Sequence, residues 1–308
     1  MRSTRPEDQR ALEVVVAAAW NGRRLEGVDQ RVLRNALRLA RSHQVEEPVT
    51  RLYADSVPDH ALRRLDLQAQ LFAANLLDAT SKLAKAGVRP LLIKADPRRV
   101  YEYDNFDLVV GADGWDCAVR TLAEWSTRRA VHPLEPGKML LYPACGPAAH
   151  LHREVSWFGI PAFSTERLRA GAVDSAGLPY LLPAPADSLR LWVGHAVFQN
   201  LAFLLSELLS LRELLTPSLV AEASRGAAQD GWQDAFSCAV DLAEAAVVDL
   251  DRGVLPRLPV TIPPGEGLLM GWRHSVHLLR VGRPVKALRE LLLRPVLVIA
   301  KVRRVRMM

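Results

Sequence analysis

The hydrophobic period of this chain changes twice along its length, and that limits the folds open to it. Up to Ala86 the apolar residues recur every three to four positions, the spacing of one helix face. From Gly87 to Val155 they form short runs and alternations of the kind strands make. Beyond Asp187 the helical period returns. Helices, then strands, then helices predict a mixed α+β protein, with a small mixed β-sheet embedded in a predominantly helical chain. The divisions expected are a helical region over 1–88, an α/β core over 89–160, a second helical region over 161–260 and a basic amphipathic tail over 261–308.

Within that frame, residues 6–21, 29–43 and 59–86 read as helices, the last ended by Gly87 as a C-cap. Strands are expected over 90–94, 106–110, 138–142 and 150–155, with a helix over 112–126 between the second and third. A proline-rich connection leads to Asp187, expected to cap one long helix over 188–215 that is apolar around most of its circumference. Two further helices fill 217–250. Pro284 and Pro295 are expected to interrupt any continuous helix at the C-terminal end.

Composition narrows the class. Of 308 residues 49% are apolar and 24% charged, the balance of a folded globular chain. Three cysteines with no CxxC pair argue against a zinc ribbon or a dithiol redox motif, and suit a reducing compartment. The N-terminus lacks a signal-peptide core, and the most apolar stretch, between Arg190 and Glu207, is too short and too polar for a membrane span. The expectation is a soluble cytoplasmic protein of bacterial type. Charge is uneven: residues 266–308 hold ten Lys or Arg against two Glu, a net of +8 in a chain whose total is +6. That segment reads as a contact for an anionic lipid surface, as a basic arm for nucleic acid, or as a docked helix with its arginines in water.

No P-loop, GxGxxG, GxSxG or HExxH motif is present. What stands out is an order of pieces: Leu91-Leu92-Ile93-Lys94-Ala95, then Asn105-Phe106-Asp107-Leu108-Val109-Val110, then His150-Leu151-His152, then a helical run from Asp187 through His195 to Glu207. Over roughly residues 60–215 this order resembles the bacterial uncharacterised nucleotidyltransferase family of the polymerase-β-like superfamily.

The resemblance implies a nucleotidyltransferase core that moves a nucleoside monophosphate from an NTP to a small-molecule or peptide acceptor, with Mg²⁺ held by acids at alternate positions of one strand and a third acid on its neighbour. Residues i and i+2 of a strand share a face, so two such carboxylates clamp one ion. This chain departs from the pattern. The first acid aligns with Asn105, the second is Asp107 and the third aligns with His150. Asp104 is a substitute carboxylate, but 104 and 107 face opposite sides of a regular strand, and only a bulge would join them. Lys94, Arg98 and Arg99 are the implied phosphate ligands, although Ala95 replaces the family's glycine, and these cations also suit a solvated loop.

His150 and His152 share a strand face. With Asp107 they make either a two-His, one-carboxylate set suited to Zn²⁺ or Mn²⁺, or a hydrogen-bonded pair lining a former active-site cleft. His195 and Glu207 match positions often polar in the family. On one helix they would lie about 18 Å apart and could not pair. Two functions therefore stand: the transferase the resemblance implies, with Asp107 holding the metal and Asp104 or Asn105 as its second ligand, or a catalytically inactive relative that binds a ligand or a protein partner.

Overall fold

The computed structural model describes residues 6–94, 104–175 and 177–307; Ala95, Arg98 and Arg99 lie outside the described residues. Four helices open the chain: α1 (Pro6–Ala19), α2 (Gln30–Ser42), α3 (Glu46–Leu52) and α4 (Asp59–Lys85). Each has a local cause. Asp29 caps α2 by accepting from the backbone N–H of Arg31 and Val32. Past the end of α4, Gly87 turns the chain at φ +79°, a conformation only glycine adopts without strain.

The middle of the chain builds β1 (Leu91–Ile93), β2 (Asn105–Val109), α5 (Gly111–Trp125), β3 (Arg128–His132), β4 (Glu135–Tyr142) and β5 (Ala148–His152). A short hairpin of β6 (Ser156–Trp157) and β7 (Ile160–Pro161) follows, then α6 (Thr165–Ala170), β8 (Val173–Asp174) and β9 (Leu181–Leu182). Seven strands join one mixed sheet in the order β3-β4-β5-β2-β1-β9-β8. The α+β class expected from the sequence is thus present, in a sheet wider than the four expected strands. Strands β3, β8 and β9 were not anticipated; β8 and β9 are two-residue pieces, too short to show a period.

Strand alternation sorts the sheet into two faces. Phe106 and Leu108 of β2, with Ala149 and Leu151 of β5, pack on Phe72, Leu76 and Leu83 of α4 and Leu122 of α5. The opposite positions carry Asn105, Asp107, His150 and His152. Because β2 and β5 run parallel with Asp107 opposite His150, these polar residues collect on one face.

That face looks toward the C-terminal helices: α7 (Pro185–His195), α8 (Leu205–Leu211), α9 (Pro217–Gln229), α10 (Gln233–Asp251), α11 (Pro264–Arg280) and α12 (Pro284–Met307), with β10 (Ala202–Phe203) and β11 (Val260–Thr261) paired between them. Helices α1–α3 share a core with α7–α10, so the two helical regions form one apolar mass.

Three sequence expectations are corrected here. The single helix over 188–215 is broken. After His195 the ladder slips into a π turn over Ala196–Asn200, Leu201 adopts φ +51°, and Ala202 and Phe203 pair as strand β10. The run is apolar at most positions, and periodicity cannot separate helix from strand in such a run. Asp187 does not cap α7; it lies in the first turn and pairs with Arg190 at 3.0 Å. Finally, prolines do not interrupt α12: Pro284 is its first residue, where no N–H bond is required, and Pro295 sits inside it.

A buried polar cluster fixes α12 to the broken helix. Arg294 donates to Glu290 at 2.6 Å and to the Val197 carbonyl of the π turn at 2.8 Å. Glu290 also bonds Nδ1 of His274 on α11, and all three side chains are buried. Gly271 makes room, since a Cβ there would lie 2.6 Å from Arg294 Cγ. Removing one member of a buried charged set leaves the others uncompensated. Arg294→Ala is therefore expected to cost about 3–5 kcal/mol in urea unfolding, well above the cost of Arg280→Ala, an exposed position on α11.

Candidate functional site

A cleft of about 250 Å³ lies between the polar face of the sheet and the break after α7. Its sheet wall presents Lys94, Asn105, Asp107, Lys138 and His150, and its helical wall Gln44, Trp192, His195, Gln199, Asn200 and Glu207. Phe72, Ile93, Phe106 and Leu204 supply apolar surface.

Asp107 is the centre of the sheet wall. Its side chain is only 6% exposed, and both carboxylate oxygens are engaged. Lys94 Nζ lies 2.9 Å from Oδ2, and His152 Nε2 lies 2.6 Å from Oδ1. His150 Nδ1 is 3.6 Å from Oδ1, an electrostatic neighbour beyond good hydrogen-bond length. Burial alone would raise this carboxyl. The charge of Lys94 and the two imidazoles outweigh it and hold Asp107 well below the usual carboxylate range.

Lys94 reaches Asp107 from the end of β1, where its backbone takes φ +55°, unusual for a residue with a side chain. Burial drops His152 to about 4, against the pull of Asp107, so its ring is neutral at pH 7 and donates Nε2–H to the carboxylate. Burial also pushes the Lys138 ammonium below the usual lysine range, partly countered by Asp107. Lys138 lies opposite His152 in the β4–β5 register, and its nearest acid is Glu135, 4.0 Å away.

On the helical wall, His195 and Glu207 are in direct contact, Nδ1 to Oε1 at 2.7 Å. The sequence expectation that they cannot pair is overturned by the helix break, which folds α8 back beside α7. The other oxygen of Glu207 accepts from the Leu204 N–H at 2.7 Å, capping α8. Burial holds His195 neutral despite Glu207. Its Nδ1–H then donates to the carboxylate, which leaves Nε2 as the ring's acceptor. The end of α2 joins this wall: Leu205 N–H donates to His43 Nδ1 at 3.4 Å, and Ser206 Oγ to Gln44 Oε1 at 3.4 Å.

Of the residues singled out in the sequence, Lys94, Asn105, Asp107 and His150 meet in the cleft, and His152 stands behind them as the partner of Asp107. Asp104 does not join them. It is exposed in the bend before β2, and the β2–β5 register runs unbroken from Asn105 to Val109, so the bulge that would turn it inward is absent. Among the described residues no group of three His, Cys, Asp or Glu is placed to hold a metal ion. Sequence reading missed Lys138, Gln44, Gln199 and Asn200. Glu207 had a usable signal: a lone acid in the run LAFLLSELLSL must be exposed or partnered.

Searches against protein families, curated proteins and solved structures find no match for this chain.

The histidines give this site a pH signature. A folded His152 near 4 against an ordinary value of 6.5 means the unfolded chain takes up the proton first. Stability is then full above about pH 6.5 and falls by up to about 3 kcal/mol as pH drops toward 4. His43, likewise about 4 through burial, adds a second decline in the same window. The contribution of Asp107 disappears only at lower pH still, as its depressed folded value is crossed. Urea midpoints at pH 7, 5.5 and 4.5 should fall in that order, and His152→Gln should flatten the decline.

Proposed function

We propose that this chain is a nucleotidyltransferase-like binding protein that takes a phosphate-bearing ligand, an NTP or a smaller phosphate ester, in the cleft and performs no metal-assisted transfer. The observation that carries this reading is the closure of Asp107 by Lys94 and His152. Magnesium asks for several oxygen ligands in near-octahedral order. Here one carboxylate stands where the resemblance implies three, its oxygens are engaged, and Asn105 and His150 occupy the other acid positions. The donor set does not suit Mg²⁺. It suits Zn²⁺ or Mn²⁺ no better, because the 2.6 Å contact between His152 and Asp107 leaves no space for an ion between them.

The same substitutions favour anions. Lys94 and Lys138 place two ammonium groups on one wall, where Asp107 is the carboxylate that lines the cleft and Glu135 stands 4.0 Å from Lys138, and Asn105 and Gln199 bring amide N–H donors. On the other wall the charge of Glu207 is met by His195 and the α8 N-terminus. A phosphate entering this space meets donors in a setting where burial strengthens each interaction.

Calorimetric titration with ATP, GTP, CTP, UTP and inorganic triphosphate, with and without Mg²⁺ or Mn²⁺, tests the proposal. Binding without metal is expected, weakened about tenfold or more by Lys138→Met when titrated at a temperature where the variant is fully folded. Binding that requires a divalent ion and disappears in Asp107→Asn, with pyrophosphate released on adding an acceptor, would overturn it in favour of nucleotidyl transfer.

A further inference from the structure

Helix α12 is built inside out. The positions it turns to the protein are Ala287, Glu290, Arg294 and Val298, two of them charged. The positions it turns to solvent are Val285, Leu288, Leu292, Val296 and Ile299, spaced three or four apart along one side. These five are more than half exposed, Val285 at 78% and Leu292 at 65%. Ten of the seventeen large apolar side chains exposed among the described residues lie between 268 and 299, Trp272 on α11 included. Such concentration marks a surface with an occupant, since isolated exposed apolar residues are ordinary but a continuous stripe is not.

Charge indicates which occupant. Arg280 and Arg283 precede the stripe, and Lys301, Arg303, Arg304 and Arg306 follow it in sequence. The segment's two acids do little to offset them: Glu290 is buried against His274 and Arg294, which leaves Glu266. With cations at both ends, a seam between two copies of α12 would oppose like charges whether the helices ran parallel or antiparallel. An apolar strip flanked in sequence by cations instead matches an anionic bilayer, which offers hydrocarbon at the acyl boundary and anionic headgroups beside it. No described helix is long and apolar enough to cross a membrane, so the fitting mode is a helix lying in the interface. We infer that the outer face of α12 docks this protein onto the surface of an anionic lipid bilayer, whatever the cleft binds.

Cosedimentation of the full chain with phosphatidylcholine vesicles, and with vesicles of phosphatidylcholine and phosphatidylserine at about three to one, provides the test. Binding is expected to be about tenfold or more tighter to the anionic vesicles and to weaken as salt is raised. The double substitution Leu288→Asp, Leu292→Asp should lose about tenfold or more while keeping the wild-type thermal midpoint. Val131→Asp, at an exposed apolar site on β3, should bind as the parent does. No binding to anionic vesicles, or equal binding by the double variant, overturns the inference. So does a concentration-dependent dimer in light scattering that the double variant abolishes, which assigns the stripe to a second copy.

Discussion

The carboxylate of Glu207 holds the helical wall of the cleft in place. One oxygen accepts from His195 at the end of α7, and the other caps the first turn of α8. Between those two contacts the chain makes a π turn, a left-handed residue and a two-residue strand. A π turn leaves carbonyls off the regular ladder. Here Val197 is met by Arg294, and Leu201 by the Ile262 N–H. A straight helix would carry Glu207 far from His195 and bring neither Gln199 nor Asn200 to the sheet. The break is therefore what converts an apolar helix packed over a sheet into one wall of a polar cleft.

Much of the fold was legible for one physical reason: period. The alternation in β2 and β5 separates apolar residues that meet α4 and α5 from the polar set at Asp107, and that contrast is visible in residues 105–110 and 150–152. Lys94, Asp107 and His150 were singled out through the order of pieces that resembles a nucleotidyltransferase, and strand alternation added only that His150 and His152 share a face. Elements set by tertiary partners were not legible. The break after His195 has no periodic signature because apolar residues fill most positions on both sides of it, from Leu189 to Leu211. Lys138 depends on a register between β4 and β5 that no local pattern encodes. Helix α12 misled through its two prolines, one harmless at N1 and the other compatible with the helix around it.

Three buried acids follow one rule, that a charge removed from water needs partners on every side. Asp107 has Lys94 and His152, Glu290 has Arg294 and His274, and Asp230 has Arg190 and Arg167. They differ in address. The Glu290 set lies between α11 and α12 and ties them to the π turn. The Asp230 set joins α6 and α7 to the end of α9. The Asp107 set alone opens onto the cleft, and its arrangement is accordingly the one with chemical consequences.

Among those consequences is the source of the counter-charge. A metal ion arrives from solution, and its occupancy follows the surrounding concentration. Lys94 is attached to the chain thirteen positions from Asp107, so its local concentration at the carboxylate is set by geometry. The counter-charge that Lys94 supplies to Asp107 therefore does not arrive by diffusion, and it is lost when the backbone at the end of β1 moves.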